Sequence, residues 1–178
     1  ITHMANEAGL LICGGNCLGY YNFENSIHTN YSHCDPHPPG NVAFISHSGA
    51  IFLSIAGSEP RMRYNLAVSA GQELNVNAAD YLDYMVDMPS TKAVAMILET
   101  VRDSELFVAA LEKARERDIA VVAIKIGRTE RSAAMAKTHS GALAGNDAAY
   151  DALFDHYGVI RASSVAELTG TAQVLATG

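Results

Sequence analysis

Short runs of apolar residues recur along the chain from residue 41 onward. The clearest are Val42–Ile45, Ala93–Leu98 and Ile119–Ile126, and shorter ones lie at Leu66–Val68 and Val159–Ile160. Continuous apolar runs bounded by polar residues are typical of strands that are buried on both faces of a parallel sheet. The pattern therefore predicts five strands.

Helical patterns alternate with these strands. Helices are predicted at Ala50–Ala56, from Asn77 or Asp80 to Pro89, at Asp103–Arg117, at Asp147–Tyr157 and from Ser163 onward. A single helix between successive strands brings the chain back to the same edge, so the strands pair in parallel and helices cover both faces. We therefore expect a three-layer α/β/α, flavodoxin-like domain with a mainly parallel five-stranded sheet in the order 2-1-3-4-5.

The first forty residues follow a different pattern. Leu10–Cys13 is one short apolar run that ends in a glycine-flanked turn, and Tyr20–Gly40 has no apolar periodicity. This composition predicts one strand followed by a loop or linker. Because one strand cannot bury its own faces, residues 1–40 are predicted to be the end of an upstream domain and a linker. The flavodoxin-like domain is assigned to residues 41–178, and the chain is expected to be a fragment.

Composition narrows the class of protein. The 178 residues include 12 basic and 19 acidic side chains, for a net charge of −7. An acidic chain without a basic run is not expected to bind nucleic acid. Apolar runs are too short to cross a bilayer, and the first residues lack a signal-peptide pattern. Three cysteines, an odd number, favour a reducing compartment, so we predict a cytoplasmic location.

Polar residues collect where the predicted strands end, and ligands of such sheets bind at that edge. Ser46-His47-Ser48-Gly49 lies between the first strand and its helix. This turn suits an anion, because the free N–H groups of a helix start point outward, but serine is also an ordinary helix cap. Glu99 ends the third strand and is either a surface charge or a hydrogen-bonding group of the site.

A histidine lies in a segment of small residues after the fourth strand. His139 is flanked by Lys137-Thr138 and Ser140-Gly141-Ala142-Leu143-Ala144-Gly145. A core histidine would have bulkier neighbours, and this glycine-containing loop allows a close approach of the backbone. The imidazole suits a general base, a metal ligand or a phosphoryl acceptor, and the residues alone do not choose among these roles.

Three further candidates carry less weight. His28, His33, Cys34 and His37 cluster in the predicted linker, but their spacing matches no strong zinc pattern, and we predict no metal site. A flavodoxin-like domain that binds FMN is disfavoured because the chain has no tryptophan and no evident aromatic sandwich. A receiver domain is disfavoured because no acidic pair ends the first strand.

Five motifs occur together in one order. They are Gly15–Gly19, Gly40–Ala50, Leu98-Glu99, Lys125–Arg128 and Thr138–Gly145. Over nearly the whole chain they resemble the NDP-forming acyl-CoA synthetases, which are relatives of the succinyl-CoA synthetase α-subunit. The resemblance implies the reaction acyl-CoA + NDP + phosphate ⇌ acid + CoA + NTP, and it implies that residues 1–40 are the tail of a CoA-binding, Rossmann-type domain.

The resemblance also implies residue roles. His139 matches the histidine that carries the phosphoryl group, and Glu99 matches the acid that orients it. Asn16 and Cys17 match a loop beside the acyl and phosphate site. The residues that match the phosphate-binding positions are Ser46, Ser48, Gly49, Ala50, Ser140 and Gly141.

Cofactors and partners follow from the resemblance as well. It implies CoA and ATP or ADP, with Mg²⁺ bound outside this chain, an ATP-grasp domain or subunit, a CoA-binding domain and a small carboxylic acid. It implies neither nucleic acid nor membrane as a partner, and it allows a homo-oligomer. Without the other parts, the isolated chain is expected to be inactive.

Departures from the family pattern leave the acyl substrate open, and the choice of ADP or GDP is expected to be set by a part outside this chain. Gly15 stands where proline is usual, His47 where glutamine or another polar residue is common, and Gln72 where asparagine is common. The alternative function is a non-catalytic regulatory module, sensing acyl-CoA or nucleotide, of a protein acetyltransferase. Retention of both His139 and Glu99 disfavours it.

Overall fold

The computed structural model describes residues 1–30, 38–56, 62–127 and 147–177. Within these ranges the strands are β1 (Gly19–Asn22), β2 (Ile27–Asn30), β3 (Val42–Ser46), β4 (Tyr64–Ser69), β5 (Ala93–Leu98), β6 (Ala120–Lys125) and β7 (Ile160–Arg161). The helices are α1 (Thr2–Glu7), α2 (Gly49–Ala56), α3 (Ala78–Asp87), α4 (Ser104–Glu116), α5 (Asp147–Tyr157) and α6 (Val165–Leu175).

One mostly parallel sheet organises the molecule. Its strand order is β2-β1-β4-β3-β5-β6-β7, and the five strands from β4 to β7 are parallel to one another. Counted from β3, those five strands have the order 2-1-3-4-5. The predicted flavodoxin-like α/β class is therefore confirmed, as are the five predicted strands.

The sheet separates two apolar cores. Neighbouring residues of the buried strand β3 point to opposite faces, so that Ala43 and Ile45 belong to one core and Val42 and Phe44 to the other. Helices α3, α4 and α5 contribute to the core that contains Ile45, and helices α2 and α6 contribute to the core that contains Phe44. Helices thus cover both faces, as the apolar runs predicted. None of the helices in the described ranges is long and apolar enough to cross a membrane.

The prediction of a loop from Tyr20 to Gly40 is wrong for its first part. β1 and β2 form an antiparallel hairpin, and β1 pairs antiparallel with β4, which extends the sheet at one edge. Tyr21 and Phe23 hold the hairpin in place because both are buried, and the Tyr21 ring stacks on Phe52 of α2 at 5.7 Å. The apolar run Leu10–Cys13, predicted to be a strand, has no strand structure.

Candidate functional site

A pocket of about 320 Å³ opens at the carboxyl ends of β3 and β4. This is the edge where parallel α/β sheets bind their ligands. Three parts of the chain form the walls: the segment before β1, the turn from β3 into α2, and the turn after β4. The lining residues are Asn16, Cys17, Leu18, His47, Gly49, Ala50, Leu53, Gly71 and Gln72.

The turn from β3 into α2 is held by serine hydroxyls. Ser46 Oγ donates to Ser48 O at 2.8 Å and accepts from Ser48 N–H at 3.2 Å, and Ser48 Oγ accepts from Ile51 N–H at 3.4 Å. In the described part of the chain, the N–H groups of Gly49 and Ala50 have no acceptor. They lie at the start of α2 against the pocket, where the helix dipole favours an anion.

The opposite wall is the pocket segment, Gly14–Leu18. Gly14 O accepts from Leu74 N–H and Gly15 O accepts from Gln72 N–H, both at 2.6 Å, while Leu18 N–H donates to Ser69 Oγ at 3.2 Å. These bonds attach the pocket segment to the end of β4 and the turn that follows it. Asn16 and Cys17 are thereby placed on the pocket.

Gly71 makes this close contact possible. Its φ of +63° is a left-handed conformation that side chains disfavour. A Cβ atom at this position would lie 2.3 Å from Gly15 O and 2.7 Å from Cys17 Cβ. The turn after β4 therefore requires glycine in order to receive the pocket segment.

The buried carboxylate of Glu73 lies next to His47, one of the residues that line the pocket. Glu73 Oε1 accepts from His47 Nε2 at 2.8 Å and from Ala78 N–H at 2.5 Å, and its Oε2 accepts from Arg102 Nε at 3.0 Å. The Glu73 side chain is only 1% exposed and that of His47 only 3%, whereas Arg102 is 39% exposed. The three donors compensate for the removal of the carboxylate from water.

His47 connects the pocket to Glu99. Its Nδ1 accepts from Glu99 N–H at 2.9 Å, and the backbone N–H of His47 donates to Ile97 O at 3.0 Å. Because Nδ1 is an acceptor, Nε2 carries the ring proton and donates it to Glu73. The ends of β3 and β5 are thus joined through one imidazole. Glu99 itself is buried, and in the described part of the chain its carboxylate accepts no hydrogen bond.

Lys125 brings a buried positive charge to the same edge. It ends β6 next to Leu98 of β5, its Nζ donates to Ile126 O at 2.5 Å, and it lies 4.7 Å from the centre of the Tyr150 ring. Burial lowers the pKa of Lys125, and the negative charges of Asp147 and Glu99 oppose that effect. The charge of Lys125 thus interacts with that of Glu99.

The structure brings several of the predicted site residues together. Asn16, Cys17, Gly49 and Ala50 line the pocket, and Ser46 and Ser48 form the turn beside it. Glu99 directly follows the neighbouring strand β5 and is joined to this turn through His47. His139, Ser140 and Gly141 lie outside the described residues. The roles predicted for these residues stay predictions.

Two residues of the site were missed by sequence reasoning. The side-chain partners of Glu73 are 26 and 29 residues away along the chain, so no local pattern marks Glu73 or Arg102. A carboxylate directly after a glycine turn is the one signal the sequence offers, and it is weak.

The described residues give no support for a zinc site at the cluster of His28, His33, Cys34 and His37. His28 packs its ring against Tyr21 and Phe23, at 5.5 and 5.4 Å between ring centres, while His33, Cys34 and His37 lie outside the described residues. In the ranges that the structure covers, no group of three or more His, Cys, Asp or Glu side chains is placed to hold a metal ion.

Comparison with known families gives one clear match. The family described as "Succinyl-CoA ligase like flavodoxin domain" matches residues 39–175, which is most of the chain. That range contains the parallel sheet and its helices. The pocket segment lies before it.

Curated relatives match over almost the full chain. An ADP-forming acetate–CoA ligase of Methanocaldococcus jannaschii is 32% identical over 99% of this chain and 25% of its own length. The α-subunit of the ADP-forming acetate–CoA ligase II of Pyrococcus furiosus is 29% identical over 97% of this chain and 38% of its own length. The chain thus spans only about a quarter to two fifths of these relatives.

A solved structure has the same fold. The dinucleotide-forming acetyl-coenzyme A synthetase 1 of Ca. Korarchaeum cryptofilum, in complex with phosphate and ADP, matches with a TM-score of 0.90 and 27% identity. The match covers 98% of this chain and 38% of the synthetase chain. The hairpin and the pocket segment are therefore included in the structural similarity.

Proposed function

Since this chain belongs to the succinyl-CoA ligase-like flavodoxin domain family, we propose that it is the phosphohistidine-bearing domain of an NDP-forming acyl-CoA synthetase. The relatives named above are ADP-forming ligases that join an acid to CoA. The proposal assigns the phosphoryl-carrying step to this chain, with His139 as the carrier and a small carboxylic acid as the group released when His139 is phosphorylated by the acyl phosphate.

The reaction would proceed in three balanced transfers. Phosphate attacks the thioester carbonyl, the C–S bond breaks, and an acyl phosphate and free CoA result. An imidazole nitrogen of His139 then attacks the phosphorus, the bond between phosphorus and the acyl oxygen breaks, and the carboxylate leaves. The phosphoryl group finally passes from His139 to NDP, which gives NTP and restores the histidine.

The observation that carries the proposal is the pocket at the start of α2. Phosphoryl transfer needs positioning and stabilisation of negative charge more than covalent participation by many groups. The N–H groups of Gly49 and Ala50, which have no acceptor among the described residues, would supply donors for phosphate oxygens, and Asn16 and Cys17 face them across the pocket. Glu99 directly follows β5 and Lys125 ends the neighbouring strand β6, and we propose that the carboxylate there orients the imidazole of His139.

Other parts complete the proposed enzyme. Nucleotide and CoA would be bound by an ATP-grasp domain or subunit and by a CoA-binding domain, of which residues 1–40 are the proposed end. Mg²⁺ would be bound with the nucleotide, outside this chain. The protein is proposed to act in the cytoplasm.

Labelling of the intact enzyme with [γ-³²P]NTP tests the proposal. We expect an acid-labile, base-stable label that disappears in His139→Ala, while His156→Ala, in which an exposed histidine of α5 is removed, retains it. An undiminished label and normal turnover in His139→Ala would refute the proposed role.

A further inference from the structure

We propose that His47 is a positioning residue that fixes Glu99 for the phosphoryl-transfer step. The inference rests on the proposed function, because Glu99 acts there by orienting His139. Its own basis is the hydrogen bonding of the His47 ring, which occupies both ring nitrogens and joins two strand ends.

The ring has one orientation and one tautomer in this environment. Nδ1 must be unprotonated to accept from Glu99 N–H, so the proton resides on Nε2 and is donated to Glu73. Rotation of the ring by half a turn would place Cδ2–H against Glu99 N–H and Cε1–H against Glu73, so both hydrogen bonds would be lost. The imidazole is therefore locked by the chemistry of its two partners.

Glu73 is itself fixed. It accepts from the first residue of α3, Ala78, and from the partly exposed Arg102, whose positive charge balances the buried carboxylate. Glu73, which accepts from the His47 ring, is thus hydrogen-bonded to the first residue of α3, a helix that packs into the core. A displacement of His47 would either move Glu73 or break a hydrogen bond to its buried carboxylate, and either change costs free energy.

The consequence concerns the position of Glu99. Residue 99 lies just beyond β5, and the peptide group before it is held on one side by Ile126 N–H, which donates to Leu98 O at 2.7 Å, and on the other by His47. The bond from its N–H to His47 Nδ1 holds the main chain there, and the direction of the carboxylate depends on that main chain. A shift of about 1 Å in a group that orients a reactant can cost about 100-fold in rate.

Kinetics of two variants in the full enzyme test the inference. His47→Phe keeps the ring volume and removes both hydrogen bonds, whereas His47→Gln keeps one acceptor and one donor at similar reach. We expect His47→Phe to lower the rate constant for phosphorylation of His139 by NTP about 100-fold with the KM for NTP unchanged. His47→Gln should restore the rate to within about tenfold of the wild type, and His156→Gln serves as the exposed-histidine control.

The two proposals fail in different ways. A label that persists in His139→Ala refutes the proposed function, whereas a label that needs His139 together with a wild-type rate constant in His47→Phe refutes only the inference. A His47→Phe enzyme that raises the KM for the carboxylic acid or phosphate and keeps its rate constant would also overturn it, because His47 would then act only as a pocket wall. Should His47→Phe not fold, a folded His47→Gln with a rate as low as that of His139→Ala overturns the inference, and a rate within tenfold of the wild type supports it.

Discussion

Replacement of Glu73 by alanine should destabilise the domain strongly. The substitution removes the common acceptor of His47 Nε2–H, Ala78 N–H and Arg102 Nε–H. Alanine offers no compensation in backbone energy, because residue 73 has a φ of +55° and alanine is as disfavoured there as glutamate. The loss is therefore one of buried hydrogen bonding.

The magnitude follows from what each donor can do afterwards. Arg102 is 39% exposed and can exchange the carboxylate for water, so its share is small. His47 Nε2–H and Ala78 N–H are buried, and each donor left without an acceptor costs about 1–3 kcal/mol. With some water entering the vacated space, we expect a loss of about 3 kcal/mol in the free energy of unfolding.

Urea unfolding followed by circular dichroism measures this loss, provided that the denaturant dependence is unchanged. Glu73→Gln is the informative partner variant, because its Oε1 still accepts from His47 and Ala78 and only the contact with Arg102 is lost. It should cost about 1 kcal/mol. Glu116→Ala, at an exposed position of α4, should remain within about 0.5 kcal/mol of the wild type. Equal losses in Glu73→Ala and Glu116→Ala would show that the buried carboxylate contributes nothing.

Three further predictions concern other parts of the molecule. Gly71→Ala should lower the free energy of unfolding in urea by at least about 2 kcal/mol, because its Cβ would lie 2.3 Å from the backbone of the pocket segment. Gly170 lies in helix α6, and a Cβ added there has no atom within 4 Å, so Gly170→Ala should raise the free energy of unfolding by about 0.5–1 kcal/mol. Hydrogen bonding to Lys113 lowers the pKa of Asp87, so this contribution to stability is present above the ordinary carboxyl pKa and is lost as pH falls through the lowered one. An NMR titration of Asp87 should show its pKa rising in Lys113→Gln, and an unchanged pKa would contradict the assignment. Burial lowers the pKa of Lys125, so the charged form of this side chain opposes folding below that pKa. The free energy of unfolding of the wild type, relative to that of Lys125→Met, should therefore increase as pH rises toward 10.5. Urea unfolding of both proteins from about pH 7 to 10 measures this difference, and a constant difference would exclude the effect.

Much of the fold could be predicted because its central strands are buried on both faces. Val42–Ile45 and Ala93–Leu98 are apolar without interruption, and that pattern has few other interpretations in a chain where helical segments alternate with it. Helix starts were also predictable where a side chain caps them, as Asn77, Asp103 and Ser164 do.

The hairpin could not be predicted from local pattern. β1 and β2 have only four residues each, and β2 is largely exposed at the edge of the sheet, so neither strand shows a clear alternation. β1 is placed by pairing with β4, more than forty residues later, and by the packing of Tyr21 on Phe52, and β2 is placed by pairing with β1. Tertiary contacts of this range leave no periodic signal in the sequence.

The candidate site, like the fold, could be predicted from the sequence only in part. The strand-end rule indicated the turn at Ser46–Gly49 and the position of Glu99, because both depend on which residues follow a buried strand. It could not indicate that His47 joins them. That contact depends on the conformation of a turn after a different strand, where Glu73 adopts a positive φ.

The pocket segment has a consequence for how this domain can be exchanged among proteins. Residues 14–18 precede the hairpin and lie outside the range 39–175 that matches the family. They nevertheless form one wall of the pocket. A recombination event or an engineered fusion joined near residue 40 would transfer an intact parallel sheet with half of its cavity open to water. A junction upstream of residue 14 would transfer the sheet together with all the residues that line this pocket.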